Sequence, residues 1–414
     1  MSDYVEVAIT SDSSDELWNC CVWDVRTGTH LLSYKGGGAP CHHTFSVINQ
    51  QYFLAGNMVK PMLHVWPMNR HEPITTRFIL PGRATAAAVS PDGNYCVVAV
   101  QEVIYVYLLL TGAMIATISS HYLSVTTLCF NDSGSHFVSA GQDGKVLVWS
   151  LSQVVRVFQR QISQAVYSFS DHALSVTDLY VGKGRMKALL CSVSLDRSCK
   201  IYDLTSGSML LNITFQESLT SVTMNALESI VFVGTNEGPI YAFSITLPPR
   251  TKEYLVIKKQ HQKNVFLGHK KQVTCISVSR DEELLLSGGA DEQVIVWHIK
   301  SRQQLRVIPH KGIITTARFL LTPKAMFNQE TKLNLSFQPF QKTVYPLEKI
   351  HDLTVDLIVQ ESTFSNLECR TTSFNNPAQS TSNLEEISKL KKEIQHLKMI
   401  NKEIYEFCVK SIVR

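Results

Sequence analysis

A short β-branched or apolar run ends in an aromatic residue seven times along the chain, at Trp23, Trp66, Tyr107, Trp149, Tyr202, Phe243 and Trp297. The intervals between them are 43, 41, 42, 53, 41 and 54 residues. A supersecondary unit of about 40–45 residues cannot bury its own apolar face, so successive units must stack against one another. This repeat excludes most two-layer folds before composition is considered. The two long intervals carry insertions, Gln153 to Ser170 and Thr246 to Val265, which the spacing places between units.

The clearest unit contains four strands: Val273 to Ser279, Leu284 to Asp291, Val294 to Ile299 and Gln303 to Ile308, with turn residues or charges between them. Within it His269 lies 18 residues before Ser287, which lies four before Asp291, which lies six before Trp297. His121, Ser139, Asp143 and Trp149 repeat those intervals, and His172, Ser192, Asp196 and Tyr202 follow with two residues inserted. A hydroxyl, an imidazole and a carboxylate are the elements of nucleophilic catalysis. Three copies argue instead for a hydrogen-bond chain from the turn Asp through His and Ser to the Trp indole N–H, satisfying buried polar groups inside one unit.

Four strands, this polar set and an aromatic residue closing the third strand predict an all-β, seven-bladed WD-repeat β-propeller followed by a C-terminal α-helix in a coiled coil. Before Trp23 there is room for the strands Val5 to Thr10 and Asn19 to Val25, with His30 to Lys35 following, but none for a first strand. Ile313 to Leu320 has strand character and no blade of its own, so it is predicted to complete blade one and remove an exposed sheet edge. The expected organisation is a propeller over 1–320, a linker or partner-wrapping arm over 321–383 and a helix over 384–414. Blade three, ending in Tyr107-Leu108, and blade six, with Phe243, Glu237 at the Asp position and no His, are expected to rely on packing alone.

With 44% hydrophobic and 18% charged residues, the chain has material for a large core and too little charge for a mainly disordered protein. A net charge of +4 spread along 414 residues does not announce a histone-like binder of nucleic acid. Ten cysteines in a chain of this length suggest reduced thiols, and the first residues lack the basic and apolar regions of a signal peptide. The longest apolar stretch, Val103 to Leu110, is too short to span a bilayer. No CxxC pair occurs, Cys41-His42-His43 has no fourth ligand nearby, and Gly36 to Gly38 lacks the Lys and Ser/Thr of a phosphate loop. No catalytic, cofactor-binding or metal-binding residue is therefore expected, and no membrane contact.

The second insertion and the residues after it carry Lys258, Lys259, Lys263, Lys270 and Lys271, with Tyr254 and His261 interleaved. This pattern suits contact with RNA phosphate, docking of a protein, or a solvated basic loop. From Leu321 to Asn383 the chain is rich in Thr, Ser, Asn and Gln with scattered Phe and Pro, and Leu347 to Gln360 suits a local strand or helix against the propeller. A 3–4 repeat then returns at Ile387, Leu390, Ile394, Leu397, Asn401, Ile404 and Cys408, after a capping box at Ser382 or Asn383. With Ile387 at position a, Asn401 also falls at a, where a buried Asn favours a parallel dimer in register. An amphipathic helix packed on the propeller or on a partner fits the same pattern.

The stretches Val22 to Gly37, His121 to Leu151, His172 to Leu179, Phe266 to Ser279 and Leu397 to Phe407 resemble the WD-repeat subunits of the rixosome, a nuclear complex that matures the large ribosomal subunit. The resemblance covers the propeller and the terminal helix and is poor across the linker. It implies a noncatalytic scaffold of the nucleus, nucleolus and nucleoplasm that serves pre-rRNA spacer processing. The implied partners are two helical-repeat scaffold proteins, one rich in proline, glutamate and leucine, together with an endonuclease and polynucleotide kinase, a SUMO protease, the midasin ATPase and preribosomal large-subunit particles. It also implies a homodimer through the C-terminal helix. The competing reading is a WD-repeat substrate receptor of a cullin-type ubiquitin ligase.

Overall fold

The computed structural model describes residues 4–14, 20–156, 164–246, 251–256, 264–323 and 337–343. All of them belong to the compact unit Met1–Gln360; a second unit comprises Glu361–Arg414. Lys258, Lys259, Lys263, the stretch Leu347 to Gln360 and the heptad positions from Ile387 to Ile404 lie outside the described residues.

Seven sheets form the seven blades of a β-propeller. Each blade runs from an inner strand a to an outer strand d. All seven repeat aromatics fall in strand c, from Trp23 in Cys20–Asp24 to Trp297 in Gln293–His298. Strands b and c are covered on both faces by neighbouring blades, so they read as continuous apolar runs such as Tyr95–Val100 and Val146–Ser150. Outer strands meet solvent: Ser208–Thr214 alternates, and Gln304–Pro309 buries only Ile308. The core is consequently divided among the junctions between blades. Phe232, Ile240 and Phe266 of blade six pack on Val273, Leu285 and Trp297 of blade seven, and the other junctions repeat the arrangement.

Blade one is assembled from both ends of the propeller. Strand Ile314–Pro323 lies antiparallel to Tyr4–Asp12, in register from Tyr4 opposite Pro323 to Ser11 opposite Thr316, with a bulge before Asp12 pairs with Ile314. This inner strand continues past Leu320, so Leu321 to Pro323 are sheet residues and not linker.

The insertions do not lie between blades. Each interrupts a blade between strands c and d, because the chain leaves strand c, makes an excursion, and returns to the same sheet. In blade four, strand c (Val146–Ser150) runs into the short helix Leu151–Arg156 before strand d forms at Tyr167–Phe169. In blade six, strand c (Ile240–Ser244) is separated from strand d (Val265–Phe266) by Glu253–Leu255, which pairs in parallel with the outer strand of blade five as a fifth strand. Aromatic spacing alone could not separate these two placements.

A run of threonines links the inner strands from blade four round to blade one. Thr126, Thr177, Thr220 and Thr274 each occupy the position where strand a breaks register with strand b. Their hydroxyls donate to a carbonyl of the next blade: Val176 O at 2.7 Å, Leu219 O at 3.0 Å, Val273 O at 2.6 Å and Ile314 O at 2.7 Å. The bulge aims each hydroxyl sideways and converts a local irregularity into a junction between blades. Thr126→Val and Thr274→Val each keep shape and remove one such bond, so each should cost about 1 kcal/mol. The two sites share no partner, so the double variant should be additive to within about 0.5 kcal/mol in denaturant unfolding. Unchanged midpoints would mean that the junctions are held by packing alone.

Candidate functional site

The three His-Ser-Asp sets are buried hydrogen-bond chains. In blade four, Trp149 Nε1 donates to Ser139 Oγ at 2.9 Å, Ser139 Oγ meets His121 Nε2 at 2.9 Å, and His121 Nδ1 meets Asp143 at 3.1 Å. In blade seven the distances are 2.8 Å for Trp297 to Ser287, 2.7 Å for Ser287 to His269 and 3.0 Å for His269 to Asp291. The indole N–H occupies one lone pair of the serine oxygen and the carboxylate can only accept, so Nδ1 carries the imidazole proton and the serine donates to Nε2. Burial holds His121 and His269 below the ordinary histidine range despite their aspartates. Ser139, Ser192 and Ser287 have no exposed surface. Hydroxyls in this position can organise a blade but cannot meet a substrate.

Blade five departs from the pattern. His172 bonds Ser192 at 2.7 Å and Asp196 at 2.9 Å, but the Tyr202 hydroxyl reaches Asp171 at 3.1 Å. A phenol extends farther than an indole N–H and leads the chain outward. Although burial opposes it, hydrogen bonds from His172 and Ser198 hold the Asp196 carboxyl well below its usual range.

Sequence reading missed a variant set in blade one. Trp23 Nε1 donates to Thr10 Oγ1 at 2.8 Å, and His310 Nδ1 lies 3.4 Å from Asp12, with both of those side chains buried. The histidine comes from the closing end of the propeller and the other three residues from its start. The signal was present: His310 stands four residues before Ile314, as His269 stands four before Val273.

The aspartates also fix loops. Asp143, Asp196 and Asp291 accept backbone N–H groups from Tyr122 at 3.2 Å, Ala173 at 3.1 Å and Lys270 at 3.2 Å, the residues directly after each histidine. These d-to-a loops share one face with the b-to-c turns, as shown by bonds from Gln142 N to Ser124 O, Leu195 N to Ser175 O and Ala290 N to Gln272 O. On blades four and five this face exposes Tyr122, Leu123, Leu174 and Leu195 at 78%, 52%, 54% and 40%. Lys145 Nζ sits 4.3 Å from the Tyr122 ring. Lys270 and Lys271 are exposed on blade seven of the same face. An apolar patch with cationic neighbours on rigid, pinned loops suits a protein surface better than a small ligand.

A cavity of about 390 Å³ lies among the inner strands. His42 Nδ1 bonds Thr315 O at 2.6 Å, and His43 Nδ1 lies 3.7 Å from Asp178. Asp178 accepts N–H groups from Leu179 at 2.8 Å and from Val222 in blade six at 2.9 Å. Burial pushes Asp178 up to about 6 and both histidines down to about 4, so at neutral pH the imidazoles are uncharged and the carboxylate is ionised. Among the described residues no group of three or more His, Cys, Asp or Glu side chains could hold a metal ion. No helix among them is long and apolar enough to cross a membrane.

Two outcomes follow from this geometry. Ser139→Ala leaves the Trp149 N–H and the His121 Nε2 without their buried partner, so it should destabilise the fold by about 1–3 kcal/mol for each unpaired group; equilibrium unfolding measures the loss. Stability should also fall as the pH drops from about 6.5 towards 4. In that window the unfolded chain protonates His42, His43, His121 and His269 while the native state resists. Asp178 acts in the opposite sense, because its raised native pKa binds a proton between about 4 and 6. Asp178→Asn should therefore steepen the acid loss in thermal melts between pH 4 and 6.5, and an unchanged slope would contradict the assignment.

The WD domain, G-beta repeat family model matches residues 112–150 and 260–298, which contain strands a to c of blades four and seven with their Trp149 and Trp297 sets. The rat WD repeat-containing protein 18 is 36% identical over 342 residues, covering 83% of this chain and 79% of that protein. The human WD repeat-containing protein 18 is 33% identical over 431 residues, covering 100% of this chain and 99% of that protein. The Pre-rRNA-processing protein pro-1 of Caenorhabditis briggsae is 25% identical, over 76% of this chain and 61% of that protein. Identity sustained over the whole chain, on a propeller with these blade-locking sets, places the chain in the WD repeat-containing protein 18 family.

Proposed function

We propose that this protein is a noncatalytic scaffold of pre-rRNA spacer processing and large ribosomal subunit maturation, acting in the nucleus and nucleolus. The observation that carries this reading is membership of a family whose more distant relatives include a protein named for pre-rRNA processing. The buried, substrate-inaccessible serines and the exposed patch around Tyr122, Leu123, Leu174 and Leu195 are what a scaffold would require. Helical-repeat partners dock on the propeller, and catalysis resides in associated enzymes: an endonuclease and polynucleotide kinase, a SUMO protease and the midasin ATPase. The heptads from Ile387 to Ile404 form a parallel dimer, which doubles each contact and raises avidity without new interactions. Lys258, Lys259, Lys263, Lys270 and Lys271 contact RNA phosphate or an acidic partner.

The test is affinity purification from nuclear extract of the full chain and of a chain ending at Asn383, with proteomics and a light-scattering mass. The full chain should bring preribosomal factors as a dimeric core, and the shorter chain should be monomeric with fewer partners. Recovery of cullin components without preribosomal factors would replace this reading with that of a ubiquitin-ligase receptor.

A further inference from the structure

Residues 337–343 follow the propeller in sequence but pack back onto blades two and three. Phe337 and Phe340 are 7% and 6% exposed, within the core shared by those blades. Phe340 stacks on Tyr107 with ring centroids 4.2 Å apart and planes 3° from parallel, and it meets Phe78 at 4.8 Å. Phe337 meets Tyr52 edge-on at 5.0 Å. The backbone is held as well: Gln338 N donates to Leu110 O at 3.1 Å and Gln341 N to Gly112 O at 2.8 Å. Gly112 has φ +68°, and a Cβ there would come within 2.1 Å of the Pro339 carbonyl oxygen. The groove floor is thus shaped to let an extended backbone approach.

We propose that the groove formed by Tyr52, Phe78, Tyr107 and the Leu110–Gly112 turn is a binding site for an extended Phe-x-x-Phe peptide, occupied in cis by the chain's own Phe337 to Gln341. Three features support a ligand site over incidental packing. The two rings, three residues apart, enter adjoining aromatic contacts, Phe337 on Tyr52 and Phe340 on Tyr107, with Phe78 touching both, and this spacing fixes register. Backbone bonds flank the second ring, the pattern of peptides recognised through main chain plus side-chain pockets. Blade three is also the blade whose strand c ends in Tyr107 without the His-Ser-Asp chain, so the phenylalanine covers the ring that a polar set would otherwise anchor. The occupant holds residues 337–343 on blades two and three, and another Phe-x-x-Phe segment must displace it to bind.

The experiment uses the full chain and a fluorescent peptide of residues 336–343. The peptide should bind the Phe337→Ala/Phe340→Ala chain saturably in fluorescence anisotropy. Binding to the unsubstituted chain should be at least about tenfold weaker, because the tethered segment competes at an effective concentration of about millimolar. A peptide with both phenylalanines changed to alanine should not compete. Equal binding to both chains, or binding to neither, would overturn the proposal. Should the double variant fail to fold, hydrogen exchange on the unsubstituted chain decides: protected amides at Gln338 and Gln341 support the occupied groove, and free exchange at both refutes it.

Discussion

The antiparallel pairing of Ile314–Pro323 with Tyr4–Asp12 is the contact on which the rest of the molecule depends. Each blade buries its apolar faces only against two neighbours, so an open ring would leave one junction, and with it two blade faces, wet and two strand edges unpaired. Closure satisfies both at once. Ser11 Oγ meets Thr315 Oγ1 at 2.8 Å across this seam, and Glu6 accepts the N–H of Arg280 in blade seven. The His310–Asp12 contact adds a buried polar link, and hydrogen bonds from His310 and Ser14 draw the Asp12 carboxyl down although burial opposes this.

Within the closed ring, blades are stabilised by two different means. Blades four, five and seven use polar chains that must be complete, since one missing partner leaves buried donors or acceptors unpaired. Blades two and three use aromatic packing and backbone acceptors. Trp66 Nε1 donates to the carbonyls of Lys35 and Gly36, while Tyr107 is covered by Phe340. The polar chains do more than hold a blade, because their aspartates pin the loops that carry Tyr122, Lys270 and their neighbours. Stability and surface presentation are joined in one side chain.

The interior of the ring is polar and mixed in protonation. Burial separates the neutral pair His42 and His43 from the ionised Asp178, and Asp178 spends its lone pairs on backbone N–H groups of blades five and six. These groups therefore act as fasteners between blades, as the threonines of blades four to seven do.

The sequence by itself determined what local spacing can encode. Aromatic residues ending β-branched runs located the seven strands c, the 18-4-6 spacing identified the polar sets of blades four and seven, and the strand-like Ile313 to Leu320 pointed to closure. Tertiary structure decided whatever depends on contacts between distant residues. It placed the insertions inside blades four and six, gave His310 its partner nearly the full propeller away, and brought Phe337 within reach of Thr76 across 261 residues. The physical reason is that periodicity reports the nearest neighbours of a residue along a strand or turn, whereas a ring joins positions whose separation in sequence leaves no periodic mark.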